Sequence, residues 1–186
     1  DPTVNTYSAV SATISSATLL GIDAVDLEIG GTLRLNNTNR ADGEQIDWTT
    51  ATSIDNDPAD LLSELTISKS IQLQVVDGSG SLDIGPGNVV ATISGTTFTM
   101  ADMDVETGNS AISGGAIEDA KIVSLNIGTA NFFAGEGASL DAPRTGIVTT
   151  GALGFLVNGG LTVNSVKEGS DTYTGVETSI NAATLL

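Results

Sequence analysis

The chain has 186 residues, a formal net charge of −17, and neither cysteine nor histidine. A surface this acidic repels phosphate backbones and anionic lipid, which argues against nucleic-acid binding and against association with anionic membranes. The missing cysteine and histidine exclude disulfides, the usual zinc sites and the common Ser–His and Cys–His catalytic pairs, so we expect no enzyme. The apolar runs are too short to insert into a bilayer.

The first forty residues alternate apolar and polar side chains, as half-buried strands do. Together with the 22 glycines and the low aromatic content of 4%, this pattern predicts an all-β fold. Gly30-Gly31 predicts a turn, and Asn36–Asn39 predicts a loop. The predicted strands carry Val10, Ala12 and Ile14, then Val25, Leu27 and Ile29, then Leu33 and Leu35.

The alternation stops between residues 40 and 56. Trp48, the one tryptophan, is interpreted as a cap over an open end of the core. A short helix is predicted from Asp57 to Leu65, because Asp57 suits the N-cap and Pro58 suits the first helical position. Strands resume at Ile71, Leu73 and Val75.

From Asp77 to Phe133, short apolar clusters alternate with glycine-containing pairs and triplets at intervals of about five to ten residues. Short strands with a turn after each are typical of a solenoid, so an elongated β-solenoid is the first prediction. Strands between Ser79 and Phe133 should then make mainly parallel contacts. By contrast, Asn158-Gly159-Gly160 predicts an antiparallel hairpin and favours the alternative, an antiparallel β-sandwich domain in a tandem array.

Residues 172–186 nearly repeat residues 6–20, and we call this fifteen-residue segment the repeated phrase. Eight of the fifteen aligned positions are identical without a gap, at a constant offset of 166 residues. Self-similarity at a fixed period is typical of repeat architectures. We therefore divide the chain into one repeat unit, residues 1–171, and the opening strand of a next repeat or an inter-unit contact segment, residues 172–186.

The second copy of this phrase has no following strand to cover its apolar residues, so it is predicted to contact a neighbouring unit. Contacts that repeat head to tail without closing give filaments or arrays. The predicted assembly residues are Tyr173, Val176, Ile180, Leu185 and Leu186.

Oxygen ligands for a hard cation such as calcium are the one chemistry that this composition supplies. Asp77 and Asp83 flank a glycine-rich stretch, interpreted as a turn. Asp102, Asp104 and Glu106 alternate with apolar residues and should share one strand face. Solvated acidic surface is the simpler interpretation of both groups.

Several short segments of the sequence resemble the tandem repeats of giant secreted or surface-attached bacterial proteins, including those with an LEPR-XLL motif and RTX-like giants. The resemblance lies in residues 131–137, 154–157, 163–168, 173–176, 17–25 and 33–36. It implies an exported, repetitive protein with an adhesive or structural role. We predict an extracellular or cell-surface structural module of a filament, sheath or giant adhesin, whose partners are units like itself and cell-surface polysaccharide. The alternative is a carbohydrate-binding or polysaccharide-processing β-helix, which should expose Trp48, Tyr7 or Tyr173 along a groove.

Overall fold

The computed structural model describes residues 4–19, 22, 24–51, 65–85 and 87–186. These residues form nine strands and one short 3₁₀ turn at Ser113–Gly115, so the all-β prediction is confirmed. The predicted helix from Asp57 lies outside the described residues, apart from Leu65. The strands are β1 (Tyr7–Thr18), β2 (Val25–Thr38), β3 (Ile71–Ile84), β4 (Val89–Glu106), β5 (Ala116–Glu136), β6 (Ser139–Leu140), β7 (Ile147–Val148), β8 (Leu153–Glu168) and β9 (Asp171–Leu185).

Seven strands form a single sheet in the order β1-β2-β3-β4-β5-β8-β9. Every neighbouring pair in this sheet is antiparallel, including β3–β4 and β4–β5, which span Ser79–Phe133. The solenoid prediction is therefore wrong for this segment. The apolar clusters that suggested short rungs are halves of long strands, because β4 and β5 contain 18 and 21 residues.

Two glycine pairs that were predicted to form turns lie inside strands, beside shifts in strand register. β2 continues through Gly30-Gly31 and on to Thr38, so the predicted turn and most of the predicted loop lie within one strand. β8 likewise continues through Asn158-Gly159-Gly160, and the predicted hairpin there is wrong. The register shifts beside Gly159 on its β9 side, where an added Cβ would overlap the carbonyl oxygen of Ser179. Glycine marks bulges and close backbone approach here.

One face of the sheet, which we call the apolar face, is lined by hydrophobic rows that cross it from edge to edge. Each member of the two rows below keeps some solvent exposure. The upper row is Ala12, Leu33, Val75, Phe98, Leu125, Val163 and Val176. The lower row is Leu27, Leu82, Ala91, Phe132, Val157 and Ala183.

The opposite face, which we call the polar face, carries the small buried core. Val90 and Phe133 are fully buried there beneath the β6–β7 ribbon, together with Ala138 and Ala152. Arg144, in the loop of that ribbon, binds Asp26 at 2.8 Å and Glu28 at 3.1 Å. The ribbon is thus fixed to the sheet by both apolar packing and charge.

A second cover lies at the other end of the sheet. The indole N–H of Trp48 donates to the Asn36 side chain at 2.8 Å, and the Asn36 amide donates to the carbonyls of Ile46 and Ser68. Ile67 is fully buried in this segment. The half-buried position of Trp48 agrees with its interpretation as a cap.

Candidate assembly surface

The carboxylates of β3 do not form the predicted turn site. Asp77 is exposed within the strand and has a positive φ of 53°, while Asp83 lies near its end. The Asp83 carboxylate accepts a hydrogen bond from the Gly87 N–H at 2.7 Å. The glycine-rich stretch between the two acids is strand, so the interpretation as a turn is wrong.

The carboxylates at the end of β4 are engaged by neighbouring strands. Asp102 accepts a hydrogen bond from Gln72 at 2.6 Å and pairs with Lys121 at 3.2 Å. Asp104 accepts from the backbone N–H of Asp119 at 3.0 Å. Among the described residues, no group of three or more acidic side chains has a geometry suited to a metal ion.

An open acidic depression near this end was missed by sequence reasoning, because its members are distant in the chain. It is lined by Asp42 and Glu44 from one loop and by Asp102, Asp104 and Asp119 from the sheet, beside Lys69 and Lys121. The guanidinium of Arg40 hydrogen-bonds Asp42 and holds the pKa of that carboxyl below its ordinary value. The depression combines both signs of charge.

Tyr7 and Tyr173, two of the three residues expected along a saccharide groove, do not lie together. Tyr7 lies on β1 and Tyr173 on β9, at opposite edges of the sheet. Trp48 uses its N–H to bind Asn36. This arrangement, seen in the described part of the chain, gives the carbohydrate-binding alternative no support.

The predicted assembly residues lie on β9 and immediately after it. Val176, Ile180 and Leu185 are prominently exposed. By strand alternation and the register with β8, all three lie on the apolar face. Tyr173 and Leu186 lie on the polar face. Together they form an edge strand with an apolar side and an open row of backbone groups.

The repeated phrase provides both edge strands of one sheet. Its first copy forms β1, which pairs with β2, and its second copy forms β9, which pairs with β8. The sequence showed the repetition, but only the strand order places the two copies at opposite edges.

No family model, curated protein or solved structure matches this chain. None of the described helical segments is long and apolar enough to cross a bilayer.

Proposed function

We propose that this chain is a structural module of an extracellular bacterial filament, sheath or giant adhesin, and that it assembles head to tail with units like itself. One observation carries the proposal: the two copies of the phrase, identical at eight of fifteen positions, supply the strands β1 and β9 at the two opposite edges of a single sheet. A module whose two edge strands, β1 and β9, carry nearly the same sequence can be extended by another module in the same orientation. The role is structural, and we assign no catalytic residue.

The open edge strengthens the proposal. Soluble proteins protect exposed edge strands with charge, proline or covering segments, because unpaired backbone groups promote association. Between Asp171 and Leu185, β9 has no proline, no lysine and a single further acid, Glu177. Its side chains are exposed along the whole strand. The edge is therefore suited to receive another strand.

The architecture that we propose for the array is a series of antiparallel sheets, in line with the sandwich alternative. The apolar face spans all seven strands and, in the described residues, keeps its side chains partly exposed. An antiparallel sheet usually packs one face against a second layer. A tandem or polymeric array supplies further sheets for such layers, which one isolated unit lacks.

The test is to delete residues 171–185 and compare assembly by electron microscopy and sedimentation. Full-length protein should form end-to-end assemblies at high concentration, and the truncated protein should stay monomeric with an intact β-sheet circular dichroism spectrum. In a matched control, the segment 172–186 is replaced by the sequence of residues 6–20, and assembly should persist. Assemblies of unchanged length and repeat after the deletion would contradict the proposal.

A further inference from the structure

The hairpin between β8 and β9 shows which backbone groups of β9 are already bonded. A two-residue turn, Gly169-Ser170, joins the paired residues Glu168 and Asp171. Gly169 has a positive φ of 55°, as such turns require. In this turn the Asp171 N–H donates to the Glu168 carbonyl, and bonding then alternates along the strand. Tyr173, Glu177 and Ser179 therefore bond β8.

The residues between them point their backbone groups to the open side. These outward residues are Thr172, Thr174, Val176, Thr178 and Ile180. In β1 the bonded side is set by the Asn39 N–H, which donates to the Thr6 carbonyl at 3.3 Å. Alternation from Thr6 gives the residues that bond β2: Ser8, Val10, Ala12 and Ile14.

These two sets are equivalent in sequence. Thr6 corresponds to Thr172, Val10 to Val176 and Ile14 to Ile180, at the same offset of 166 residues. The groups that β9 leaves open are thus the groups that β1 uses to bind β2. In the described sheet β1 pairs with β2 and β9 pairs with β8. The two strands therefore use opposite edges of one common sequence.

The bulges preserve this relation to the end of the strand. The register of β1 shifts between Ile14 and Ala17, and β9 has its extra residue at Asn181, the equivalent of Ser15. Beyond the shift in β1, the Leu19 N–H donates to the Leu27 carbonyl oxygen at 3.0 Å. Beyond the shift in β9, Leu186 exchanges hydrogen bonds with Gly154 at 2.8 and 3.2 Å.

Beyond the bulge, the alternation of residues that bond the neighbouring strand is therefore displaced by one position in both β1 and β9. Leu186 and Thr184 face β8, which leaves Leu185 and Ala183 facing outward. Their equivalents in β1 are Leu19 and Ala17, the residues on its β2-bonded side. A bulge at the same place inverts the bonding in both copies, so the complementarity holds as far as Leu19 and its equivalent Leu185.

Strand direction selects the partner. Six antiparallel steps separate β1 from β9, so the two strands run in the same direction. If a second copy in the same orientation kept its own β1 in place, β9 would meet that strand in parallel. If β9 met β2 of the second copy, the pair would be antiparallel and would repeat the β1–β2 register.

We infer that β9 takes the place of β1 on β2 of a second copy, so that one antiparallel sheet continues from unit to unit. This inference rests on the proposed head-to-tail assembly and specifies its contact. In the resulting pair, Ser179 opposes Thr32 of the partner, as Thr13 does within one chain. The Thr13 and Thr32 hydroxyls are 3.1 Å apart, so cysteines at the equivalent positions can form a disulfide.

The experiment uses full-length chains that each carry one cysteine, since the natural sequence has none. Thr32→Cys and Ser179→Cys chains are mixed, unfolded in denaturant, refolded together at high concentration and oxidised. We expect the mixed disulfide dimer to exceed that from Thr32→Cys with Thr172→Cys by about tenfold, because Thr172 is far out of register. Removing residues 4–18 from the Thr32→Cys chain should raise the yield, since its own β1 no longer competes.

Two results would overturn the inference. One is a Thr32–Ser179 yield no greater than the mismatched yield, and the other is a predominance of Ser179→Cys homodimers, which would indicate a two-fold β9–β9 contact. Either result, with assembly still lost on deleting residues 171–185, would leave the proposed function intact. Assembly that ignores that deletion would refute the proposed function itself.

Discussion

β1 and β9 are nearly the same strand in two settings. Val10, Ile14 and Leu19 are 49%, 44% and 42% exposed, whereas their β9 equivalents are 65%, 73% and 82% exposed. β1 pairs with β2, and Tyr7 on β1 also contacts Arg40 in the loop that follows β2. In the described sheet each copy has one partner strand, β2 for β1 and β8 for β9, so the second copy is the more exposed of two edge strands.

The largest expected effect comes from removing a single N–H on β9. Val176→Pro removes a donor that faces the open side, so assembly should be lost while the monomer's melting temperature stays nearly unchanged. Glu177→Pro removes a donor bonded to β8 and should cost the monomer about 1 kcal/mol or more. Sedimentation and thermal melts of both variants provide the comparison. Equal effects of the two prolines on the monomer would contradict the assigned bonding directions.

A charge placed on the apolar face of either copy should have a smaller effect on assembly than the proline at Val176. Ile180→Asp should weaken assembly about tenfold, since an edge-strand charge opposes strand addition. Ile14→Asp makes the same change on β1 and should instead loosen its pairing with β2, lowering the unfolding free energy by about 1 kcal/mol. Denaturant titration and concentration-dependent sedimentation test the pair. Reversed outcomes would show that β1, not β9, carries the contact.

The covered polar face provides a control that should leave assembly untouched. Arg144→Ala removes the contacts to Asp26 and Glu28 and a hydrogen bond to Ser81 at 3.1 Å. Because Arg144 is only partly exposed, we expect a loss of about 1 kcal/mol of unfolding free energy. The exposed Arg40–Asp42 pair supplies the matched variant, Arg40→Ala, which should leave the stability unchanged. A loss of assembly in Arg144→Ala would extend the contact beyond the edge.

Calcium should have the smallest effect. Asp83, Asp102 and Asp104 each accept a hydrogen bond from a neighbouring protein group. We expect millimolar Ca²⁺ and chelator to give melting temperatures within about 2 °C of each other. A larger rise with Ca²⁺ that Asp104→Asn abolishes would establish a calcium site at the end of β4.

The sequence predicted the strand content and the repeated phrase because both depend on local pattern. Alternation in β1 and in β2 is visible in single residues such as Val10 and Leu27, and the repeat needs only alignment. Gly159-Gly160 and Gly169-Ser170 show the limit of this reasoning. Both separate apolar runs, yet only Gly169-Ser170 is a turn, whereas Gly159-Gly160 lies within β8 beside a shift in its register with β9. The dipeptide sequence alone does not show how its strand pairs with distant strands.

The candidate site was predictable in part for the same reason. The exposure of Ile180 and Leu185 was predicted from the repeat, but the bonding direction of β9 depends on the β8 hairpin. The acidic depression joins Asp42 with Asp119 across the fold. The spacing of these two residues along the chain does not predict that they line the same depression.

Hydrogen exchange of individual β9 amides, in dilute monomer and in assembled material, tests the central claim most directly. The amides of Thr174, Val176, Thr178 and Ile180 should exchange fast in the monomer and become protected on assembly. Those of Tyr173, Glu177 and Ser179 should be protected in both states. If the first group stayed unprotected in assembled material, β9 would not be adding a strand through its open side.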